Sequence, residues 1–60
     1  MIKQERHARI CEYLGKHQFA SINTLMEQIG ASKSTVRRDL MELQDEKKIA
    51  FVRGGAASLN

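Results

Sequence analysis

The sequence contains no proline and only one cysteine, Cys11, in 60 residues. A single cysteine cannot form an internal disulfide, which excludes a disulfide-stabilised secreted scaffold. No apolar run approaches the roughly 18 residues that a membrane-spanning helix needs. Residues 1–6 are largely polar and lack the apolar stretch of a signal peptide. We therefore expect a small intracellular domain, located in the cytoplasm.

What remains is the composition of one small globular domain. Hydrophobic residues make up 42% of the chain and charged residues 28%, without repeats or low-complexity segments. A chain of this length buries only about 60% of the surface that its unfolded form exposes, which leaves little room for a deep catalytic pocket. We therefore do not expect an enzyme. The net charge of +3 is compatible with nucleic acid, an anionic membrane surface or an acidic protein as partner.

Apolar spacing predicts a first helix over about residues 3–16. The stripe has the spacing of one helical face and consists of His7, Ile10, Cys11 and Leu14. Residues 19–21 are too short to form a sheet alone. They form either a brief extended link or an edge strand that pairs with a later segment.

Two capped helices joined by a short glycine-containing turn follow. Ser21 has the position of an N-cap, and Gly30 supplies the left-handed residue that ends a helix over residues 22–29. Ser32 caps the next helix, over about residues 33–46. Two helices connected in this way are typical of a helix-turn-helix motif.

The C-terminal segment predicts a β-hairpin. Residues 49–52 (Ile-Ala-Phe-Val) favour a strand, and residues 53–55 (Arg-Gly-Gly) favour a tight turn. Residues 56–59 can return as a second strand. The hairpin would therefore have a basic tip at Arg53.

The predicted third helix has an asymmetric charge distribution when its apolar residues are turned toward the core. The residues on its flank and outward side form an arc that consists of Lys33, Ser34, Arg37, Arg38 and Met41. The acidic residues Asp39 and Glu42 lie on the side away from this arc. Arginine can read guanine with two hydrogen bonds, and a helix N-terminus favours phosphate, so the arc suits DNA. The alternative is a solvated face in which Arg38 or Lys33 pairs with nearby acids.

Residues 30–43 have the sequence Gly-Ala-Ser-Lys-Ser-Thr-Val-Arg-Arg-Asp-Leu-Met-Glu-Leu, and Gly-Gly-Ala follows at 54–56. This pattern resembles the N-terminal domain of DeoR-type bacterial transcriptional regulators, and the resemblance covers essentially the whole chain. It implies a mainly α, winged helix-turn-helix fold with three helices and a C-terminal hairpin wing. It also implies binding to a double-stranded DNA operator, as a repressor of a sugar or carbohydrate operon.

The resemblance extends to individual residues. Asp39 is expected to serve the structure, by orienting a neighbouring arginine. The expected DNA-contacting residues are Ser32, Lys33, Ser34, Thr35, Arg37 and Arg38 in the motif, and Arg53 and Gly54 in the wing, which also includes Gly55.

The chain departs from the family pattern at four positions: Met26 replaces a small alanine, Phe51 an arginine, Arg53 a histidine and Lys47 a glycine. A lysine held in the left-handed conformation would cost about 1 kcal/mol, which favours a different end for the third helix. Arg53 keeps a cation at the wing.

The predicted domain covers residues 1–57, and residues 58–60 would begin a linker to an effector domain outside this chain. By resemblance, the full-length protein would be a homo-oligomer that binds a sugar phosphate through that second domain.

Other candidate sites are weaker. His7 and Cys11 have the spacing of two metal ligands on a helix, but no second pair faces them, so we expect packing and no metal. No pattern predicts a catalytic residue or a cofactor. The alternative function is a winged-helix module that binds protein through the exposed apolar atoms of Met41 and Phe51.

Overall fold

Six secondary-structure elements follow one another in the computed structural model, which describes residues 1–59. They are α1 (Lys3–His17), β1 (Phe19–Ser21), α2 (Ile22–Ile29), α3 (Lys33–Asp45), β2 (Ile49–Val52) and β3 (Gly55–Ser58). The arrangement confirms the predicted mainly helical fold with a small hairpin, as in a winged helix-turn-helix domain. None of the described helices has the length and apolar character needed to cross a membrane.

The helix-turn-helix is formed by local capping interactions. Ser21 Oγ accepts a hydrogen bond from the backbone N–H of Thr24 at 3.1 Å, and Ser32 Oγ accepts one from Thr35 at 3.3 Å. Gly30 ends α2 with a φ of +62°. These contacts confirm both predicted serine caps and the glycine turn between α2 and α3.

The end of α3 keeps the left-handed residue that the family usually assigns to glycine. Lys47 has a φ of +60°, and its N–H donates to the Gln44 carbonyl at 2.9 Å. The N–H of Lys48 donates to the Leu43 carbonyl at 3.0 Å. These paired bonds form a Schellman motif. The expectation of a different helix end was therefore wrong, because the two bonds hold the lysine in this conformation.

The three strands form one antiparallel sheet in the order β1-β3-β2. Ala20 pairs with Ala56, which in turn pairs with Phe51. Of the two possibilities for residues 19–21, the edge strand is the one observed. The hairpin turn is shorter than predicted, since Gly55 is the first residue of β3 and is buried. A Cβ at Gly55 would collide with the carbonyl oxygen of Ala20, so β1 and β3 require glycine there.

The core lies between the three helices and the inner face of this sheet. Its buried apolar residues are Ile10, Leu14, Ala20, Leu25, Ile29, Val36, Leu40, Leu43, Ile49 and Ala56. Met26, Cys11 and Phe51 are partly buried and pack against it. Phe51 is therefore only partly exposed, because β2 turns this ring to the same side as Ala20 and Ala56.

The last strand runs past the position of the predicted domain boundary, which itself stays a prediction. β3 continues through Ser58, whose N–H donates to the Gln18 carbonyl at 2.8 Å. The predicted boundary after residue 57 thus falls one residue before the strand ends. Leu59 is exposed, and Asn60 lies outside the described residues, so the linker stays a prediction.

Candidate nucleic-acid interface

The outer face of α3 carries three cations. Lys33, Arg37 and Arg38 are exposed, while Val36, Leu40 and Leu43 on the opposite face are fully buried and fix the rotation of the helix. Within residues 1–59, none of these three cations forms an ion pair. The alternative in which Arg38 or Lys33 pairs with a nearby acid is therefore not what the structure shows.

Hydroxyl groups cluster at the N-terminus of α3. Ser32 Oγ donates to Thr35 Oγ1 at 3.1 Å and lies 3.3 Å from Ser34 Oγ. Thr35 is half-buried, whereas Ser32 and Ser34 are exposed. The cap thus brings three of the predicted DNA-contacting residues together beside the exposed Lys33, at the helix end where the dipole favours an anion.

Asp39 is a fully buried carboxylate on the core side of α3. Arg6 of α1 holds it with two hydrogen bonds, Nε to Oδ2 at 2.6 Å and Nη2 to Oδ1 at 3.2 Å. His7 Nε2 lies 3.2 Å from Oδ1. Burial raises the pKa of Asp39, but the hydrogen bonds and charges of Arg6 and His7 outweigh burial and leave that pKa below its usual value.

The arginine that Asp39 contacts is distant in sequence. We expected a neighbouring arginine, yet the partner is Arg6, 33 residues away on α1. The sequence did contain a signal: an acid beside Leu40, on the buried side of a helix, requires a cationic or hydrogen-bonding partner. Nothing in the local pattern could identify which residue supplies it.

A second acid of α3 is also paired with α1. The Glu42 carboxylate lies 3.4 Å from Lys3 Nζ and 3.3 Å from His7 Nε2. Together with the Arg6–Asp39 pair, these contacts place basic groups of α1 against two of the three acids of α3. Sequence reasoning missed this cluster, which holds these two carboxylates of α3 in contacts with α1.

The same cluster is the candidate cation site among the described residues. Ligand atoms of His7, Asp39 and Glu42 lie within 4.8 Å of one another. Both oxygens of Asp39 already accept from Arg6, so the cluster functions as an ion-pair network. Cys11 lies outside it; burial raises the pKa of this thiol, the charge of Lys48 lowers that pKa by a smaller amount, and Glu46 raises it.

The wing is attached to both helices of the motif. Gln44 Oε1 accepts from the backbone N–H of Phe51 at 2.7 Å, which ties α3 to β2. The N–H of Ile22 donates to the Gly54 carbonyl at 3.0 Å, which ties α2 to the turn. Gly54 has a φ of +80°, and Arg53 is exposed. Within residues 1–59, no ion pair or hydrogen bond joins Arg53 to α3.

Comparison with known proteins places this geometry in a family. The DeoR-like helix-turn-helix domain matches residues 6–60. The chain belongs to this family. The match includes the capped turn, α3 and the hairpin, so the resemblance seen in the sequence is confirmed over nearly the whole DeoR-like domain.

Curated relatives of this DeoR-like domain are transcriptional regulators by name. The uncharacterized HTH-type transcriptional regulator FruR of Bacillus subtilis is 40% identical over 60 residues, which is all of this chain and 24% of the relative. GlpR of Haloferax volcanii is 41% identical over 56 residues, 93% of this chain and 22% of the relative. UlaR of Escherichia coli is 32% identical over 59 residues, 98% of this chain and 24% of the relative. No solved structure matches the chain significantly.

Proposed function

We propose that this DeoR-like domain binds double-stranded DNA sequence-specifically and serves as the DNA-reading part of a transcription regulator. The observation that carries the proposal is the charge distribution of α3. Its exposed Lys33, Arg37 and Arg38 have no ion-pair partner within residues 1–59, whereas Asp39 and Glu42 are held by α1. Unpaired cations on one face of a recognition helix suit the phosphate-lined major groove.

In this proposal α3 enters the major groove with its N-terminal end. Arg37 and Arg38 divide base reading and phosphate binding between them, because a guanidinium fork fits both guanine and phosphate. The cap residues Ser32, Lys33, Ser34 and Thr35 bind the backbone near the helix N-terminus. Arg53 and Gly54 of the wing contact the adjacent backbone and fix the orientation of the domain.

Alanine substitution of the two arginines tests these roles. In a fluorescence-anisotropy titration with a duplex selected from a random pool, we expect Arg37→Ala or Arg38→Ala to cost about 1–3 kcal/mol of binding free energy. Arg9→Ala is the matched control, because it removes the same charge from an exposed position on α1 and should change affinity little. Unchanged affinity in both α3 variants would reject the proposal.

The salt dependence separates DNA binding from a protein-binding role. Each neutralised phosphate releases counterions, so the logarithm of the association constant should fall steeply and linearly with the logarithm of the salt concentration. The slope of this line should be shallower in the two α3 variants. The surface suggested for a protein-binding module lacks Phe51, which packs against the core. A duplex affinity insensitive to salt would contradict the proposal.

The chain spans about a quarter of the length of the curated relatives it matches. We propose that the whole protein is a cytoplasmic repressor of sugar or carbohydrate genes and has no enzymatic activity. A linker near residues 58–60 would lead to an effector domain that binds a sugar phosphate and supports a homo-oligomer. Two half-sites about one helical turn apart in the operator would support this arrangement, and a single isolated site would argue against it.

A further inference from the structure

Met41 is an exposed apolar side chain on the outer face of α3. The residue is 56% exposed, whereas the other large apolar residues of α2 and α3 are buried or packed against the core. It therefore adds little to the packing of the free domain. An apolar group placed among cations and hydroxyls on a helix that reads DNA requires its own explanation.

The neighbours of Met41 define what can approach it. It follows Arg38 by three residues and Arg37 by four, so the three side chains are adjacent on one helix surface. They line a shallow depression together with Ser34, Glu42 and Asp45. Along α3 this depression runs from Ser34 and the two arginines, past the thioether of Met41, to Asp45 in the last turn. Its other acid, Glu42, lies 3.4 Å from Lys3 Nζ and 3.3 Å from His7 Nε2.

The major groove presents one apolar group to such a side chain. Base edges in this groove carry hydrogen-bond donors and acceptors, except for the C5-methyl group of thymine. A methionine side chain is unbranched and adaptable, so it can follow a methyl group whose position varies slightly. The stripe of Ser34, Arg37, Arg38 and Met41 thus combines polar readers with one apolar reader.

We infer that Met41 contacts the methyl group of a thymine in the operator and adds a preference for an A·T pair beside the base pairs read by Arg37 and Arg38. This inference rests on the proposed DNA binding. It assigns Met41 to sequence discrimination, whereas the cations supply most of the affinity. The contact buries the thymine methyl group against the thioether and excludes water from both.

Deoxyuridine substitution tests this contact, because uracil keeps the base pair and removes only the methyl group. The probe is a duplex selected from a random pool by the chain itself, with each thymine replaced singly. We expect one or two positions at which replacement weakens binding of the original chain about fourfold, as for one buried methyl group. Met41→Ala should bind the thymine and uracil duplexes equally at those positions.

Two controls isolate Met41. Ile2→Ala removes a comparable apolar side chain that is 60% exposed and precedes α1, and it should keep the fourfold thymine preference. Arg37→Ala should weaken binding to both duplexes and also keep the preference. Circular dichroism verifies that each variant is folded.

The outcomes distinguish this inference from the proposed function. If a duplex is selected but no thymine is sensitive to replacement, or if Met41→Ala retains the thymine preference, the assignment of Met41 is overturned and DNA binding stands. If no duplex is enriched even at low salt, both are overturned. A thymine preference that is lost only in Met41→Ala supports both.

Discussion

Replacing Asp39 with asparagine tests the contact that joins α3 to α1. The change keeps the size of the side chain but removes the charge that accepts from Arg6 Nε at 2.6 Å and from Nη2 at 3.2 Å. One of the two carboxylate oxygens becomes an NH2 group, a donor that faces the guanidinium donors. Because Asp39 is fully buried, the amide cannot turn to water to recover a partner.

The size of the effect follows from these bonds. Each hydrogen bond to a charged group contributes about 1.5–3 kcal/mol, and removing one partner of a buried ion pair costs about 3–5 kcal/mol. The Arg6 side chain is 19% exposed and can regain some hydration. We therefore expect Asp39→Asn to lower the free energy of unfolding by about 2–4 kcal/mol, out of a total of about 3–9 kcal/mol for a domain of this size.

Urea unfolding followed by far-ultraviolet circular dichroism at neutral pH measures this loss. The matched control is Asp45→Asn, which removes the same charge from an exposed position of α3 that has no ion pair within residues 1–59. The control should stay within about 0.5 kcal/mol of the original chain. If Asp39→Asn unfolds at the same urea concentration as the control, the Arg6 contact does not stabilise the fold and the reasoning is refuted.

Two further predictions concern pH and the end of α3. Because the folded state lowers the pKa of Asp39, its contribution is complete above the usual aspartate pKa of about 3.9 and is lost as the pH falls through the lower folded value. Urea titrations from neutral pH to about pH 2 should show this loss in the original chain and a smaller one in Asp39→Asn. Lys47→Gly should raise the free energy of unfolding by about 0.5–1 kcal/mol in the same assay, because glycine adopts the φ of +60° without strain. Lys48→Gly, at a position without positive φ, should give no gain; an equal gain would contradict the strain argument.

Features that depend on neighbouring residues could be predicted from the sequence. The bonds from Thr24 to Ser21 and from Thr35 to Ser32 each span three residues, so the caps and the bounds of α2 and α3 follow from local chemistry. The outward position of Arg37 and Arg38 follows equally from helical periodicity once Leu40 is assigned to the core.

Features that depend on the order of the strands could not be predicted in this way. The protein-binding alternative counted Phe51 among the exposed apolar groups, and no spacing in the sequence indicated which face of its strand meets the core. With β1 added beyond β3, Phe51, Ala56 and Ala20 form one row facing the core. Gly55 moved from the turn into β3 for the same reason, since β1 passes too close for any side chain there.

Stability and charge at the candidate interface have a common origin in α1. Residues 33–45 carry three basic and three acidic side chains, so α3 has no net charge and its summed charge would not attract DNA. Arg6, His7 and Lys3 of α1 pair with Asp39 and Glu42, while Lys33, Arg37 and Arg38 face outward without partners within residues 1–59. The contacts that fix α3 on α1 therefore also leave its outer face electropositive. The attraction of α3 for an anion depends on which of its charges are unpaired. The overall charge of +3 is therefore a poor measure of this attraction.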